Sequence, residues 1–190
     1  LHPRVRRQRQ MCIRDRIMII KTINLEDYKE VAELIRESFS QSEHGYGNEA
    51  ELVDKIRNEE GYIKDLEIVA FEDGKITGHG LLSEVSIVNQ SQSFKGLVLA
   101  PLDVLPAYQG KGIGAAILLE LEKRAKILDY SFISILGHES YYPRFGYVPA
   151  SQYQIQAPFE VPDQNFMIKE LIDGRLEGKS GVIQYSEAFN

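Results

Sequence analysis

The stretch from Leu97 to Leu118 constrains the chain most. An aliphatic run ends at Leu105-Pro106, the turn Gln109-Gly110-Lys111-Gly112-Ile113-Gly114 follows, and an Ala- and Leu-rich helical pattern begins. A strand, a glycine-rich turn and a helix N-terminus bring free backbone N–H groups and the positive end of a helix dipole to one place. Such a place holds an anion, so a phosphate-bearing ligand is the first expectation. Glycines at 110, 112 and 114 lack a Cβ, which lets successive N–H groups close around a pyrophosphate.

At 190 residues, with 43% hydrophobic and 26% charged content, the chain suits a single domain with a sizeable core. Six arginines and one aspartate give residues 1–17 a charge of +5, so residues 18–190 carry −11 within a total of −6. An acidic body does not suit a nucleic-acid binder. It favours a cationic small molecule or amine, although a solvated surface has the same composition. No apolar run approaches the roughly 20 residues that span a bilayer, and none resembles a signal-peptide core. A cytoplasmic protein without a membrane partner is expected. Cys12 is the single cysteine, so residues 18–190 offer no disulfide, no cysteine metal site and no cysteine nucleophile. No metal is expected.

Residues 1–17 lack helical or strand periodicity, and the composition changes abruptly at Met18. They read as a non-native or unstructured basic leader, with residues 18–190 forming the domain. The other reading is a basic arm for nucleic acid. Met18 to Ile23 is a strand candidate, and Asn24 with Asp27 makes a capping-box variant before a helical stripe at Tyr28, Val31, Ala32, Ile35 and Phe39. After a loop at 40–48, Leu52, Val53 and Ile56 mark a second helix. His44, Glu49 and Glu51 lie near this loop, where they face either substrate or solvent.

Leu66–Phe71, a hairpin signal at Asp73-Gly74, a return strand at Lys75–Val88 and a third strand from Phe94 give an antiparallel meander. Ile113, Ile117, Leu121 and Leu128 supply the next helical stripe, and Ser131–Leu136 the next strand. A strand, helix and strand in succession imply a parallel pair. In the tail, alternation at Tyr153, Ile155 and Ala157 is followed by an expected short helix at Phe166–Ile172 and a strand at Val182–Tyr185.

Gly110 to Ala115 formally satisfies the dinucleotide pattern G-x-G-x-x-G/A. However, Pro106 to Gln109 separate the glycines from their strand, and a meander precedes them. The chain also leaves room for only half of a doubly wound sheet. Read instead as Q/R-x-x-G-x-G/A, Gln109 to Gly114 resembles motif A of the GNAT family of N-acetyltransferases. Tyr142-Pro143-Arg144-Phe145-Gly146-Tyr147 resembles the family's Y-x-K/R-x-G-F/Y signature, in the right order and at the right spacing. Together the motifs look most like the YhbS-like branch, from about Met18 to the C-terminus.

The resemblance implies an α+β acyl-CoA N-acyltransferase fold. Its central sheet is mixed and mostly antiparallel, has one splayed parallel strand pair, and is flanked by helices. It implies acetyl-CoA as cosubstrate and direct transfer to a primary amine of a small molecule or peptide. Leu102, Asp103 and Val104 would contact the pantetheine and acetyl groups. Gln109, Gly110, Lys111, Gly112, Ile113 and Gly114 would hold the diphosphate. Tyr142 would be the general acid, with Tyr141 as the alternative donor. For the base the candidate is Glu84, with Glu51 second, while His79 and His138 read as structural or surface residues. The family's helix and Asn contact after the second parallel strand have no counterpart, since only His138 to Tyr141 intervene. Two other functions stay open: a non-catalytic acyl-CoA-binding or regulatory module on the same fold, and a nicotinamide-dependent oxidoreductase. A homodimer is the first assembly to test.

Overall fold

The computed structural model describes residues 9–13, 16–42 and 45–190, with side chains from residue 17 onward. His44 and residues 1–8 and 14–15 of the leader lie outside the described residues. Strands β1 (Arg9–Ile13) and β2 (Arg16–Thr22) pair antiparallel, from Arg9 opposite Ile20 to Ile13 opposite Arg16. The sequence shows no strand periodicity in this part of the leader. Backbone pairing needs none, because β2 would otherwise present an open ladder at the sheet edge.

Asn24 and Asp27 form the expected capping box in a short turn, with the Asn24 N–H donating to Asp27 Oδ2 at 2.9 Å. Helices α1 (Tyr28–Ser40) and α2 (Glu49–Arg57) follow. Val31, Leu34 and Ile35 of α1 and Ala50, Val53 and Ile56 of α2 are buried, while Leu52 is only half-buried.

The meander forms as expected from β3 (Glu67–Glu72), β4 (Lys75–Val88) and β5 (Ser93–Val104). Its first hairpin turns on Asp73 and Gly74, both at positive φ (50° and 77°), the backbone geometry that matches strand twist. Between β4 and β5 the register slips, so that Leu81 alone faces Ala100-Pro101. Proline cannot donate to a ladder, which places it at such an irregularity.

Helix α3 (Ile113–Ile127) then crosses to β6 (Phe132–Leu136), parallel to β5. Ile113, Ile117 and Leu121 are buried as their spacing predicts, but Leu128 lies past the helix end and is 44% exposed. Short strands β7 (Val148–Pro149) and β8 (Ile155–Gln156), then β9 (Phe166–Glu170) and β10 (Gly181–Gln184), complete the sheet. Among the described residues the order is β1-β2-β3-β4-β5-β6-β9-β7, with β10 joining β4 and β8.

The expected helix at Phe166–Ile172 is corrected here to strand β9, antiparallel to β6. Phe166 and Ile168 enter one apolar cluster and Met167 another, a burial period of two. The three-residue apolar run Phe166–Ile168, followed by Lys169 and Glu170, does not distinguish that period from a helical one.

The core has two faces. On one, α3 packs against Ile68 and Ala70 of β3, Leu82 of β4, Leu97 and Leu99 of β5, and Ile133 and Ile135 of β6. On the other, α1 and α2 cover Val69, Ile76, Leu81 and Leu105. Gly78 and Gly80 let α3 approach closely, because a Cβ on either would collide with Ile117.

Candidate active site

Strands β5 and β6 pair at only two positions, Leu97 with Ile133 and Val98 with Ser134. The Ser134 hydroxyl adds a bond to Leu97 O at 3.3 Å. Beyond this point Leu99 to Val104 and Ile135 to Leu136 part company, opening a wedge within the sheet. Backbone groups of β5 that would have completed the ladder are left facing the wedge.

At the wide end of this wedge lies the glycine turn. Gly110 and Gly112 have φ of +72° and +83°, a region that disfavours side chains, and a Cβ on either would meet nothing within 4 Å. The concavity is thus a property of the backbone and open to a ligand. Gly112 caps α3, and the Ala116 N–H makes the first helical bond back to Gly112 O. Helix geometry therefore leaves the N–H groups of Gly112, Ile113, Gly114 and Ala115 without helical partners. A diphosphate fits this cradle in charge and shape.

The side chains of the proposed cofactor residues divide sharply. Leu102 and Val104 are half-buried beside the opening and pack on the α3 cluster. Asp103 points to the other face and is buried, so only its backbone can meet a ligand in the wedge. Ile113 is likewise buried and offers only its N–H. Gln109 turns back, its Nε2 donating to Val104 O at 3.0 Å, and the Ser38 hydroxyl of α1 donates to the same oxygen at 3.2 Å. Both clamp the end of β5. Lys111 lies with Nζ 4.8 Å from the Tyr108 ring centre.

Tyr141 and Tyr142 flank the opening from the turn after β6. The Tyr141 hydroxyl would sit 3.1 Å from a Cβ on Gly114, so it abuts the first turn of α3. Tyr142 packs on Gly137 and edge-on to Tyr141, with ring centres 5.0 Å apart. Burial, aided by Tyr141 and Asp103, pushes the Tyr142 hydroxyl well above the ordinary tyrosine range. It stays protonated at neutral pH and is suited to donating a proton. No helix stands between β6 and this turn, as the short spacing predicts.

Glu84, the expected base, is not brought to Tyr142. It lies opposite Leu97, at the closed end of the wedge. Its Oε1 accepts from the Tyr130 hydroxyl at 2.6 Å and its Oε2 pairs with Lys95 Nζ at 3.1 Å. It lines a separate cavity of about 590 Å³ with Glu60, Tyr62, Ser83 and Tyr185. Glu51 is exposed, pairs with Arg36 at 3.0 Å and accepts from the Tyr46 hydroxyl. Both carboxylates are committed to neighbours.

Sequence reasoning missed a buried polar row beneath α1 and α2. His79 Nε2 lies 2.8 Å from Glu67 Oε1, and Nδ1 lies 3.0 Å from Asp103 Oδ2. Arg57 Nη2 donates to Glu67 Oε1 at 2.6 Å, and the Tyr62 hydroxyl donates to Glu67 Oε2 at 2.7 Å. Burial opposes the charge on His79, but its bonds to Asp103 and Glu67 outweigh burial and hold the imidazole above the ordinary histidine range. Burial raises the Asp103 carboxyl, against the pull of His79. Burial also opposes ionisation of Glu67, yet His79 and Arg57 bring its carboxyl down to about 2. The available signal was a titratable residue set among apolar neighbours in each of three strands, at Glu67, His79 and Asp103.

A mixed sheet whose parallel pair parts beside glycines at positive φ at a helix N-terminus is the arrangement expected of an acyl-CoA-type transferase. The model of the acetyltransferase (GNAT) family matches residues 28–147, and the chain belongs to that family. It is 31% identical over 122 residues to the uncharacterized N-acetyltransferase YjhQ of Escherichia coli K12, covering 64% of this chain and 67% of that protein. With the uncharacterized N-acetyltransferase YhbS of the same strain it shares 29% identity over 158 residues, 83% of this chain and 89% of YhbS. The crystal structure of E. coli YhbS in complex with CoA superposes with a TM-score of 0.80 at 26% identity, covering 100% of this chain and 96% of that one. A Brucella melitensis GNAT acetyltransferase in complex with acetyl-CoA gives 0.74 at 26% identity, over 91% of this chain and 98% of that one.

Proposed function

We propose that this chain transfers the acetyl group of acetyl-CoA directly to a primary amine of a small molecule or peptide. The observation that carries this reading is the grouping of three features around one opening. The cradle at Gly110–Gly114, the β5 stretch Leu102–Val104, which pairs with β4 but not with β6, and the Tyr142 ring packed on Gly137 border the gap where β5 and β6 cease to pair. Family membership and the CoA- and acetyl-CoA-bound relatives support it.

Acetyl-CoA, when bound, supplies an activated thioester. The chain's residues do the rest. N–H groups of Gly110 to Gly114 hold the diphosphate, and backbone groups of Leu102 to Val104 align the pantetheine arm as β5 would align a strand. A β5 N–H in the wedge stabilises the charge that develops on the carbonyl oxygen. The Tyr142 hydroxyl gives a proton to the departing sulfur. The lack of a cysteine within residues 18–190 agrees with direct transfer to the amine.

Calorimetry with acetyl-CoA, CoA and NAD, followed by thiol release over a panel of amines, amino acids and peptides, tests the reading. Binding of acetyl-CoA and CoA but not NAD, with amine-dependent thiol release, is expected. Binding without release across the panel would make the chain a sensor instead.

A further inference from the structure

The five arginines with described side chains fall into two groups. Arg36, Arg57, Arg124 and Arg175 hold a carboxylate oxygen of Glu51, Glu67, Glu120 and Asp129, respectively, at 3.0 Å or less. Arg144 pairs with no carboxylate among the described residues. Yet residues 18–190 are strongly acidic, and Glu139 stands in the same turn.

What Arg144 has instead is a fixed place. Its guanidinium carbon lies 4.6 Å from the centre of the Tyr141 ring and 5.7 Å from that of Phe145. Its Nε–H donates to Tyr141 O at 3.2 Å. A planar guanidinium stacked on a ring and held at Nε loses little further freedom when its Nη groups bind an acceptor. Those two Nη groups have no acceptor among the described residues. An exposed arginine held flat and unpaired in an acidic protein suits an anion that arrives from outside.

That place is beside the cradle. Tyr141 carries Arg144 on its ring, while its hydroxyl would stand 3.1 Å from a Cβ on Gly114. One tyrosine side chain therefore separates the guanidinium from the first turn of α3. Lys111, the cradle's own cation, lies against the Tyr108 ring. The N–H groups from Gly112 to Ala115 suit the diphosphate, whose phosphorus atoms carry a single charge each. The 3′-phosphate of CoA is a monoester with roughly two charges. It calls for a stronger partner, and a forked guanidinium is one.

We propose that Arg144, held by Tyr141, binds the 3′-phosphate of CoA and so selects CoA over dephospho-CoA. The proposal rests on the acetyl-transfer reading above. The Nη groups donate to phosphate oxygens, and Tyr141 joins this contact to the cradle. The bond-making steps at the thioester do not involve Arg144.

Calorimetry of the whole chain with CoA, acetyl-CoA and dephospho-CoA tests the assignment. The unmodified chain should bind CoA on the order of 10-fold or more tighter than dephospho-CoA, and added salt should narrow that gap. In Arg144→Gln the preference should vanish through weaker binding of CoA, while dephospho-CoA binds within a few-fold as before. Arg144→Lys keeps the charge without the planar fork and should retain part of the preference.

Equal affinity of the unmodified chain for CoA and dephospho-CoA overturns the proposal and leaves the transfer reading standing. So does an Arg144→Gln chain that keeps the preference. Equal loss of both ligands in Arg144→Gln also overturns it, since that is the effect of a mere support for Tyr141. If the unmodified chain binds neither CoA nor acetyl-CoA, the transfer reading itself fails, and the proposal with it.

Discussion

The ring of Tyr142 packs so closely on Gly137 that a Cβ at position 137 would overlap it. Gly137 ends β6 and is itself held in place. Its N–H donates to Asn165 O at 2.9 Å, and Asn165 Nδ2 donates back to Gly137 O at 3.1 Å. A missing side chain on one strand end thus sets the position of the tyrosine at the mouth of the wedge. Gly137→Ala should displace that ring while leaving the cradle at Gly110–Gly114 untouched. Turnover should fall by on the order of 10²-fold, the lower range for loss of a general acid, with acetyl-CoA affinity by calorimetry within a few-fold of the unmodified chain.

Tyr141 and Tyr142 should separate by readout. Burial keeps the Tyr142 hydroxyl protonated, so Tyr142→Phe is expected to lower kcat by roughly 10²-fold or more with little change in acetyl-CoA binding. The Tyr141 hydroxyl stands instead against Gly114. Tyr141→Phe should therefore act mainly on acetyl-CoA affinity. The reverse pattern in steady-state kinetics would exchange the roles of the two residues.

At Gly112 the φ of +83° penalises any side chain, but a Cβ there would meet no atom within 4 Å. Gly112→Val should cost roughly 1–2 kcal/mol of stability through the backbone alone. The same substitution should weaken acetyl-CoA far more, since the cradle depends on that conformation. Thermal melts with and without acetyl-CoA measure both effects. Loss of stability with undiminished affinity would remove the cradle from the binding site.

The buried row also fixes how stability responds to pH. Glu67, lowered to about 2, is stabilising above the ordinary glutamate range, and that contribution is lost as pH falls toward 2. His79, raised by its two carboxylate partners, stabilises below the ordinary histidine value, and that contribution is lost as pH rises through its folded value. Stability should peak between these ranges and decline on both sides. In Glu67→Gln the acid-side decline should shrink, as followed by denaturant unfolding across pH.

The meander, the capping box, the α3 stripe and the parallel crossover were legible because each rests on local periodicity or turn chemistry. The strand at Phe166–Glu170 was not, since its pairing with Phe132–Leu136 decides its type and lies over 30 residues away in the chain. The cradle glycines and Tyr142 could be read from two short motifs. The side chain of Asp103 could not, because the register slip at Leu81 and Ala100-Pro101 lies between it and the regular part of the ladder. Nor could the Glu67–His79–Asp103 row, whose members meet only once three strands are in register. Glu84 looked like a candidate base because it is a carboxylate in a strand, and in the fold that carboxylate is engaged by Tyr130 and Lys95.

The most direct measurement is product analysis after incubating the chain with acetyl-CoA and a mixture of primary amines and peptides. Free thiol should appear in step with a single class of N-acetylated product, identified by mass spectrometry, and both should depend on Tyr142. Acetyl-CoA binding with neither thiol nor acetylated amine across the mixture would contradict acetyl transfer and leave only the cradle.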